Sequence, residues 1–251
     1  MSDDNEEEYL QNSEMQSIAN QFDLGWVEFR MKLATGLINI SHSVATNNGS
    51  FVFQKLNKIW DERVIHDYVN VQSYLRTNGL HVPVLLRSKN NGSFAKENGY
   101  IWRVFEWVHH DYVNECTPQT AYAAGKTLAQ FHKLMSKREF KPTFELQGFH
   151  DTPAIASKLE KFLTDPKYKE KSDALYGFGE YILKEIPKFY LPANTKKIVI
   201  HGDPKLNNFL FKDGKVISLL DLDTMMSAPL EIDIGDAFRS WCRKKTVHFR
   251  I

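Results

Sequence analysis

Cysteine is almost missing. Cys116 and Cys242 are the only two in 251 residues, too few for the disulfide framework that holds small secreted domains together. Long apolar runs are missing as well. No stretch approaches the ~18–20 apolar residues that a membrane-crossing helix needs. The opening MSDDNEEEYL is acidic, where a signal peptide is basic and then apolar. Charge bias is absent too. The 32 Lys and Arg stand against 31 Asp and Glu, a net charge of +1, without the basic excess that accompanies nucleic-acid partners. No internal repeat or low-complexity linker is visible. What remains is a globular, thiol-poor chain expected in the cytoplasm, with neither a nucleic acid nor a membrane as partner.

Hydrophobic residues make up 42%, enough for one large domain or two small lobes. Residues 1–18 read as a disordered acidic tail. From Phe29 to Leu56 the pattern alternates as in strands, and TNNGS carries an Asn-Gly step that signals a hairpin turn at 47–49. Val64, Tyr68, Val71 and Leu75 then fall at helical spacing, stopped by Asn78-Gly79. VPVLLRS and YIWRVFEWV read as two further strands. After Val108 the chain turns helical: Thr117 caps a helix with Pro118 at its first position, and helical patterns recur at 153–164 and 172–188. KIVI is a short apolar strand. NFLFK and VISLLDLD form a hairpin around DGK, and DIGDAFRSWCR opens a final helix near Asp233. The expected class is α+β and bilobal: a small antiparallel-sheet lobe over 19–106 and a mainly helical lobe over 107–251 that carries a polar hairpin.

The densest chemistry lies in IHGDPKLNNFLF, residues 200–211. Polar side chains packed this tightly beside apolar ones are costly unless paired or used for chemistry. The pattern is His201-x-Asp203-x-x-x-x-Asn208, with Asp221 thirteen residues later. A hairpin folds Asp221 back beside the loop, where it and Asn208 can offer oxygens to one hard cation of the Mg²⁺ type. Asp203 is left free to take a proton from a hydroxyl. This pattern resembles the kinase catalytic loop followed by its metal-binding Asp. Gly202 in place of Arg and DLD in place of DFG point away from protein kinases.

HGDPKLNNFLF, LLDLDT and IDIGDAFR, with ANQFDLG, GLIN and FQKLN earlier in the chain, resemble the aminoglycoside phosphotransferase and choline kinase superfamily, which has a protein-kinase-like fold. Within it the similarity is greatest to sugar kinases of the N-acetylhexosamine 1-kinase type. The resemblance spans residues from about 18 to about 240. It implies ATP and Mg²⁺ as cofactors and a small-molecule acceptor, a sugar or amino sugar, with an N-acetylhexosamine as the best guess. Asp203 is then the catalytic base, and Lys205 the cation that meets the transferred phosphoryl group. Asn208 and Asp221 hold the metal, with Asp223 as a second contact. Asp233 and Asp236 are expected to cap the last helix, with Asp236 bracing the loop, and Arg239 to lie near the acceptor.

In the first lobe Lys55 takes the place of the phosphate-gripping strand lysine. It shares a strand face with Phe51 and Phe53, expected to lie towards the cleft, and Glu62 and Asp67 are its candidate acidic partners. The turn 35–39, with Gly36 and Asn39, would cover the phosphates. The backbone from Glu106 to Val108 would read the adenine edge. The two histidines of HHD, 109–111, point to opposite strand faces and make a poor chelate, so a solvated loop is expected. The superfamily continues with further helices, so truncation is expected here, together with an exposed apolar patch on the second lobe. The alternatives are a choline, aminoglycoside or homoserine type of kinase, a non-catalytic nucleotide-binding remnant, and a metal-dependent phosphoesterase using His201, Asp203 and Asn208.

Overall fold

The computed structural model describes residues 13–33, 38–113, 115–165, 167 and 173–242. The alternating segments of the first hundred residues form an antiparallel sheet of five strands: β1 (Val27–Leu33), β2 (Ile40–Thr46), β3 (Gly49–Lys55), β4 (Ala95–Glu97) and β5 (Tyr100–Glu106). Their spatial order is β1-β2-β3-β5-β4. β2 and β3 meet in a tight hairpin with Thr46 opposite Gly49, at the expected Asn-Gly turn. This sheet, with the helices that follow, bears out the α+β, protein-kinase-like architecture.

One face of the sheet is covered by a helix at 13–22, here α1. Its Met15, Ile18, Ala19 and Phe22 recur at helical spacing and pack on Val44, Phe53, Trp102 and Val104. This corrects the expected tail. Residues 1–12 lie outside the described residues, but 13–18 are helical, and Met15 and Ile18 are fully buried. The polar composition of the segment hid one apolar stripe.

Helix α2 (Glu62–Thr77) starts on Asp61, whose side chain accepts from Arg63 N, and buries Val64, Ile65, Tyr68, Val71 and Leu75. The segment VPVLLRS is not a regular strand. It runs along the end of β5 with one bridge, Leu85 to Phe105. Pro83 has no N–H for a ladder. Side chains take other groups of the segment: Gln72 Oε1 accepts from Leu85 N (2.7 Å), Tyr68 donates to Pro83 O (2.7 Å), and Arg76 Nη1 donates to Val82 O (2.7 Å). β4 takes the other half of that edge.

The second half opens on α3 (Pro118–Met135), closed at its start by a Thr117–Thr120 capping box. It continues through α4 (Thr152–Thr164) and α5 (Asp173–Glu185). Two small sheets follow: β6 (Lys197–Ile200) pairs with β9 (Met226–Pro229), and β7 (Phe209–Lys212) with β8 (Lys215–Leu219). The last helix, α6 (Leu230–Trp241), begins three residues before the expected Asp233. Leu230, Ile234 and Phe238 leave an exposed apolar stripe along α6. An apolar patch was expected on this lobe. Among the described residues no helix is long and apolar enough to cross a membrane.

Candidate active site at the polar loop

β6 delivers the chain to His201 at the centre of the molecule, where its side chain is fully buried. Asp203 N donates to its Nδ1 (3.3 Å), and its Nε2 donates to Leu220 O (2.8 Å). The ring therefore ties the loop to the end of β8. Gly202 follows at φ +86°, and a Cβ there would lie 2.2 Å from Thr224 O. Only glycine fits so close an approach in a left-handed conformation.

A carboxylate braces this turn from below. Asp233 Oδ2 accepts from His201 N (2.8 Å) and His132 Nε2 (2.7 Å), and its Oδ1 accepts from Gly202 N (2.8 Å). Burial pushes the Asp233 pKa up, but the hydrogen bonds from His132, His201 and Gly202, with the field of His201, outweigh it and hold the group below its ordinary value. This corrects two expectations: Asp233 sits inside the first turn of α6 instead of capping it, and it, not Asp236, is the brace. Asp236 pairs with Arg239 (2.7 Å), so Arg239 is spent on its own helix. Trp241 Nε1 adds a bond to Pro204 O (2.8 Å).

On this platform three of the expected side chains meet. Lys205 Nζ donates to Asp203 Oδ2. Asn208 Nδ2 donates to Asp203 O (2.7 Å), which turns the amide's hydrogen-bonding edge towards the protein and leaves its oxygen free to bind. Leu220 N donates to Asn208 O (2.8 Å), so Asp221 leaves the strand directly beside Asn208. Asp221 takes a left-handed backbone, φ 60° and ψ 58°, rare for a residue with a Cβ. Burial, then the Asp223 carboxylate, pushes its pKa up to about 6, against the pull of Lys205 and Arg103. A carboxylate whose charge is under-compensated, next to an amide oxygen, is a donor pair of the kind Mg²⁺ takes, with phosphate and water completing its shell. The residues present fit such an ion.

Other expected residues lie elsewhere. Lys55 is on the sheet face that α1 covers, opposite to the expected one. Its Nζ pairs with Glu14 Oε1 (3.2 Å) and lies 4.0 Å from the Tyr100 ring centroid. Strand parity had grouped it correctly with Phe51 and Phe53, but that face meets α1. Neither candidate acid reaches it: Glu62 pairs with Lys96 (2.6 Å), and Asp67 accepts from Thr143 N (2.8 Å), Thr143 Oγ1 (2.9 Å) and Phe144 N (3.0 Å).

Asp223 is committed first to other partners: Arg103 donates to both of its oxygens and Asn39 to Oδ2. Asn39 is thereby buried in that contact instead of covering phosphates, and Gly36 lies outside the described residues. Glu106 N is spent on Val84 O (2.9 Å), and its Oε1 accepts from Val84 N (2.9 Å) and Arg76 Nη1 (3.0 Å). Val108 O accepts from His110 Nδ1 (2.8 Å). These bonds occupy the Glu106 amide and the Val108 carbonyl. His109, His110 and Asp111 are exposed. Among the described residues no group of three or more His, Cys, Asp and Glu could hold a metal ion.

Sequence reasoning missed Arg103 and singled out Asp233 for a different task. A signal for Arg103 existed: an arginine in the middle of an otherwise apolar strand, RVF within YIWRVFE, is costly unless paired.

A profile described as "Phosphotransferase enzyme family" matches residues 32–251. Homoserine kinase of Methylobacillus flagellatus is 23% identical over 230 residues, covering 91% of this chain and 68% of that protein. Among solved structures, an amicoumacin kinase in complex with AMP-PNP, Ca²⁺ and Ami superposes with a TM-score of 0.71 at 16% identity, covering 100% of this chain and 75% of that one. An aminoglycoside phosphotransferase from Alicyclobacillus acidocaldarius gives a TM-score of 0.65 at 18% identity over 89% and 70% of the two chains.

Proposed function

The chain belongs to the phosphotransferase enzyme family, and from that premise we propose that it transfers the γ-phosphate of ATP to a hydroxyl of a small-molecule acceptor. The carrying observation is the convergence of Asp203, Lys205 and Asn208 in one braced turn with Asp221 beside them.

In this reading Asp203 orients the acceptor hydroxyl and takes its proton. Lys205, held against Asp203, faces the charge that spreads over the equatorial oxygens of the transferred group. Asn208 Oδ1 and Asp221 would hold Mg²⁺, which would supply the positive charge that offsets the phosphates. Asp233, His132 and His201 keep the turn rigid, so the reacting groups are positioned before substrate arrives. The nucleotide lies between this turn and the sheet. The cytoplasm remains the proposed location, from the thiol-poor composition.

Two acceptor classes are in view. An N-acetylhexosamine follows from the LLDLDT and GDAFR resemblance. A hydroxy amino acid is the second reading, favoured by the names of several relatives, homoserine kinases 18–23% identical to this chain. An ATP-consumption screen over sugars, amino sugars, homoserine and amino alcohols separates them. Asp203→Ala is expected to lower turnover on the acceptor by about 10²–10⁴-fold while Mg²⁺-nucleotide affinity stays nearly unchanged. Full turnover in that variant would remove Asp203 as the base.

A further inference from the structure

Arg103, in the middle of β5, is 1% exposed. Its Nη1 donates to Asp223 Oδ1 (2.8 Å) and its Nη2 to Asp223 Oδ2 (2.6 Å), a two-pronged pair between the sheet and the segment after β8. The guanidinium is held from behind by Gln54 of β3, whose Oε1 accepts from Arg103 Nε (2.8 Å). It lies 5.0 Å from the Phe105 ring centroid and 5.9 Å from that of Tyr68 on α2. Asn39 Nδ2 donates to Asp223 Oδ2 (3.0 Å), and Asn39 Oδ1 accepts from Asn57 N (3.0 Å). β5 through Arg103 and the stretch before β2 through Asn39 thus meet on one buried carboxylate, with Gln54 of β3 holding the arginine.

We propose that Arg103, with Gln54 as its strut, is the positioning residue that aims the Asp221 carboxylate at the metal. The inference rests on the phosphotransferase reading above. Asp221 holds a left-handed backbone, uncommon for a residue with a Cβ though more accessible to Asp than to most, and here it lies between held segments. The constraint comes from both sides. Before it, Leu220 is fixed by Asn208 O and His201 Nε2. After it, Asp223 is fixed by the Arg103 fork, and Thr224 Oγ1 donates to His201 O (2.9 Å). With Leu220 held before it and Asp223 held two residues after it, the backbone at Asp221 is confined, which limits the directions its side chain can take. The fork matters as well as the charge: a planar guanidinium fixes both oxygens of a carboxylate, whereas an ammonium fixes a point. Because Arg103 and Gln54 belong to the sheet, a shift of the sheet is passed through Asp223 towards the metal-binding side chain. Arg103 contacts Asp223 and positions Asp221 through it.

The test measures binding of a non-hydrolysable ATP analogue by calorimetry, in Mg²⁺ and in EDTA, for wild type, Arg103→Lys and Gln54→Met, with thermal melts alongside. Wild type is expected to bind more tightly with Mg²⁺. Partners behind a metal ligand typically contribute about 10–100-fold in metal affinity, so Arg103→Lys, which keeps the charge but loses the fork, is expected to reduce the magnesium-dependent gain by about 10-fold, with little change in EDTA. Gln54→Met, which removes the strut and the Gln54–Ser41 bond but leaves the Arg103–Asp223 pair in place, is expected to reduce it in the same direction by less, and it carries the test if Arg103→Lys does not fold. A folded Arg103→Lys that keeps the full gain overturns the proposal. So does a loss that is equal with and without Mg²⁺, which would mark a general structural role. A Gln54→Met variant with an unchanged gain, where it alone folds, overturns it too. A wild type that shows no magnesium-dependent gain overturns the functional reading itself and this inference with it.

Discussion

At Asp221 one side chain is asked to be stable in the fold and useful to a cation, and the two demands oppose each other. Burial and the neighbouring Asp223 raise its pKa from 3.8 to about 6. The folded chain therefore holds this proton more tightly than the unfolded chain does. Between about pH 4 and pH 6 the native state binds more protons, so stability falls as pH rises through that window. At pH 7.5 the ionised carboxylate costs the metal-free fold on the order of 1–3 kcal/mol. Asp221→Asn, uncharged at every pH, is expected to be more stable than wild type by that amount in EDTA at pH 7.5, to converge with it only below the unfolded pKa, at about pH 3.5, and to lose magnesium-dependent nucleotide binding. Urea titrations at the two pH values check this, and equal stability at pH 7.5 would contradict it. Asp233 has the opposite sign. Its pKa is held below 3.8, so its contribution is present above the unfolded value and is lost as pH falls through the folded one.

Among the elements, those with local signals were legible in the sequence. α2 announced itself through Val64, Tyr68, Val71 and Leu75, α3 through Thr117 and Pro118, and the polar turn through fixed spacings within eight residues. What escaped depended on partners far along the chain. Asp233 meets His201 across 32 residues and Arg103 meets Asp223 across 120, and no periodicity reports such contacts. The Lys55 face shows the limit of strand parity: alternation says which residues share a face but not what covers it. α1 supplied the cover, and its stripe was obscured by the acidic residues before it. If α1 is an integral layer, Ile18→Ala, at a fully buried position, is expected to cost about 2–5 kcal/mol in chemical denaturation. A loss under about 0.5 kcal/mol, ordinary for a surface site, would instead mean that the helix lies loosely on the sheet.

For the whole molecule the question is whether two lobes mean two folding units. The larger apolar cluster argues against it. Val64, Ile65, Tyr68, Val71 and Leu75 of α2 share it with Phe131 of α3, Val199, Phe209, Phe211 and Leu219 of the small sheets, and Leu222 and Met225 after them. α2 follows β3 in sequence, yet it packs into the core of the second half. The expected boundary near residue 106 therefore runs through a shared core. Two further joints cross it: the buried Arg103–Asp223 pair, and a cluster in which His81 Nδ1 meets Ser218 Oγ (3.0 Å) while Arg76 pairs with Glu106 (3.0 Å). Unfolding the second half alone would strip one face of α2 and leave the Arg103 charge buried without its partner, a penalty of about 3–5 kcal/mol before any apolar exposure is counted. An intermediate with one lobe folded should be too high in free energy to populate. The expected outcome is a single transition in which tryptophan fluorescence, reporting Trp102 beneath α1 and Trp60 in the shared core, coincides with far-ultraviolet circular dichroism, and in which the calorimetric and van't Hoff enthalpies agree. Two separated transitions would show that the α1-covered sheet holds together without the rest, and that the shared core contributes less to cooperativity than its burial implies.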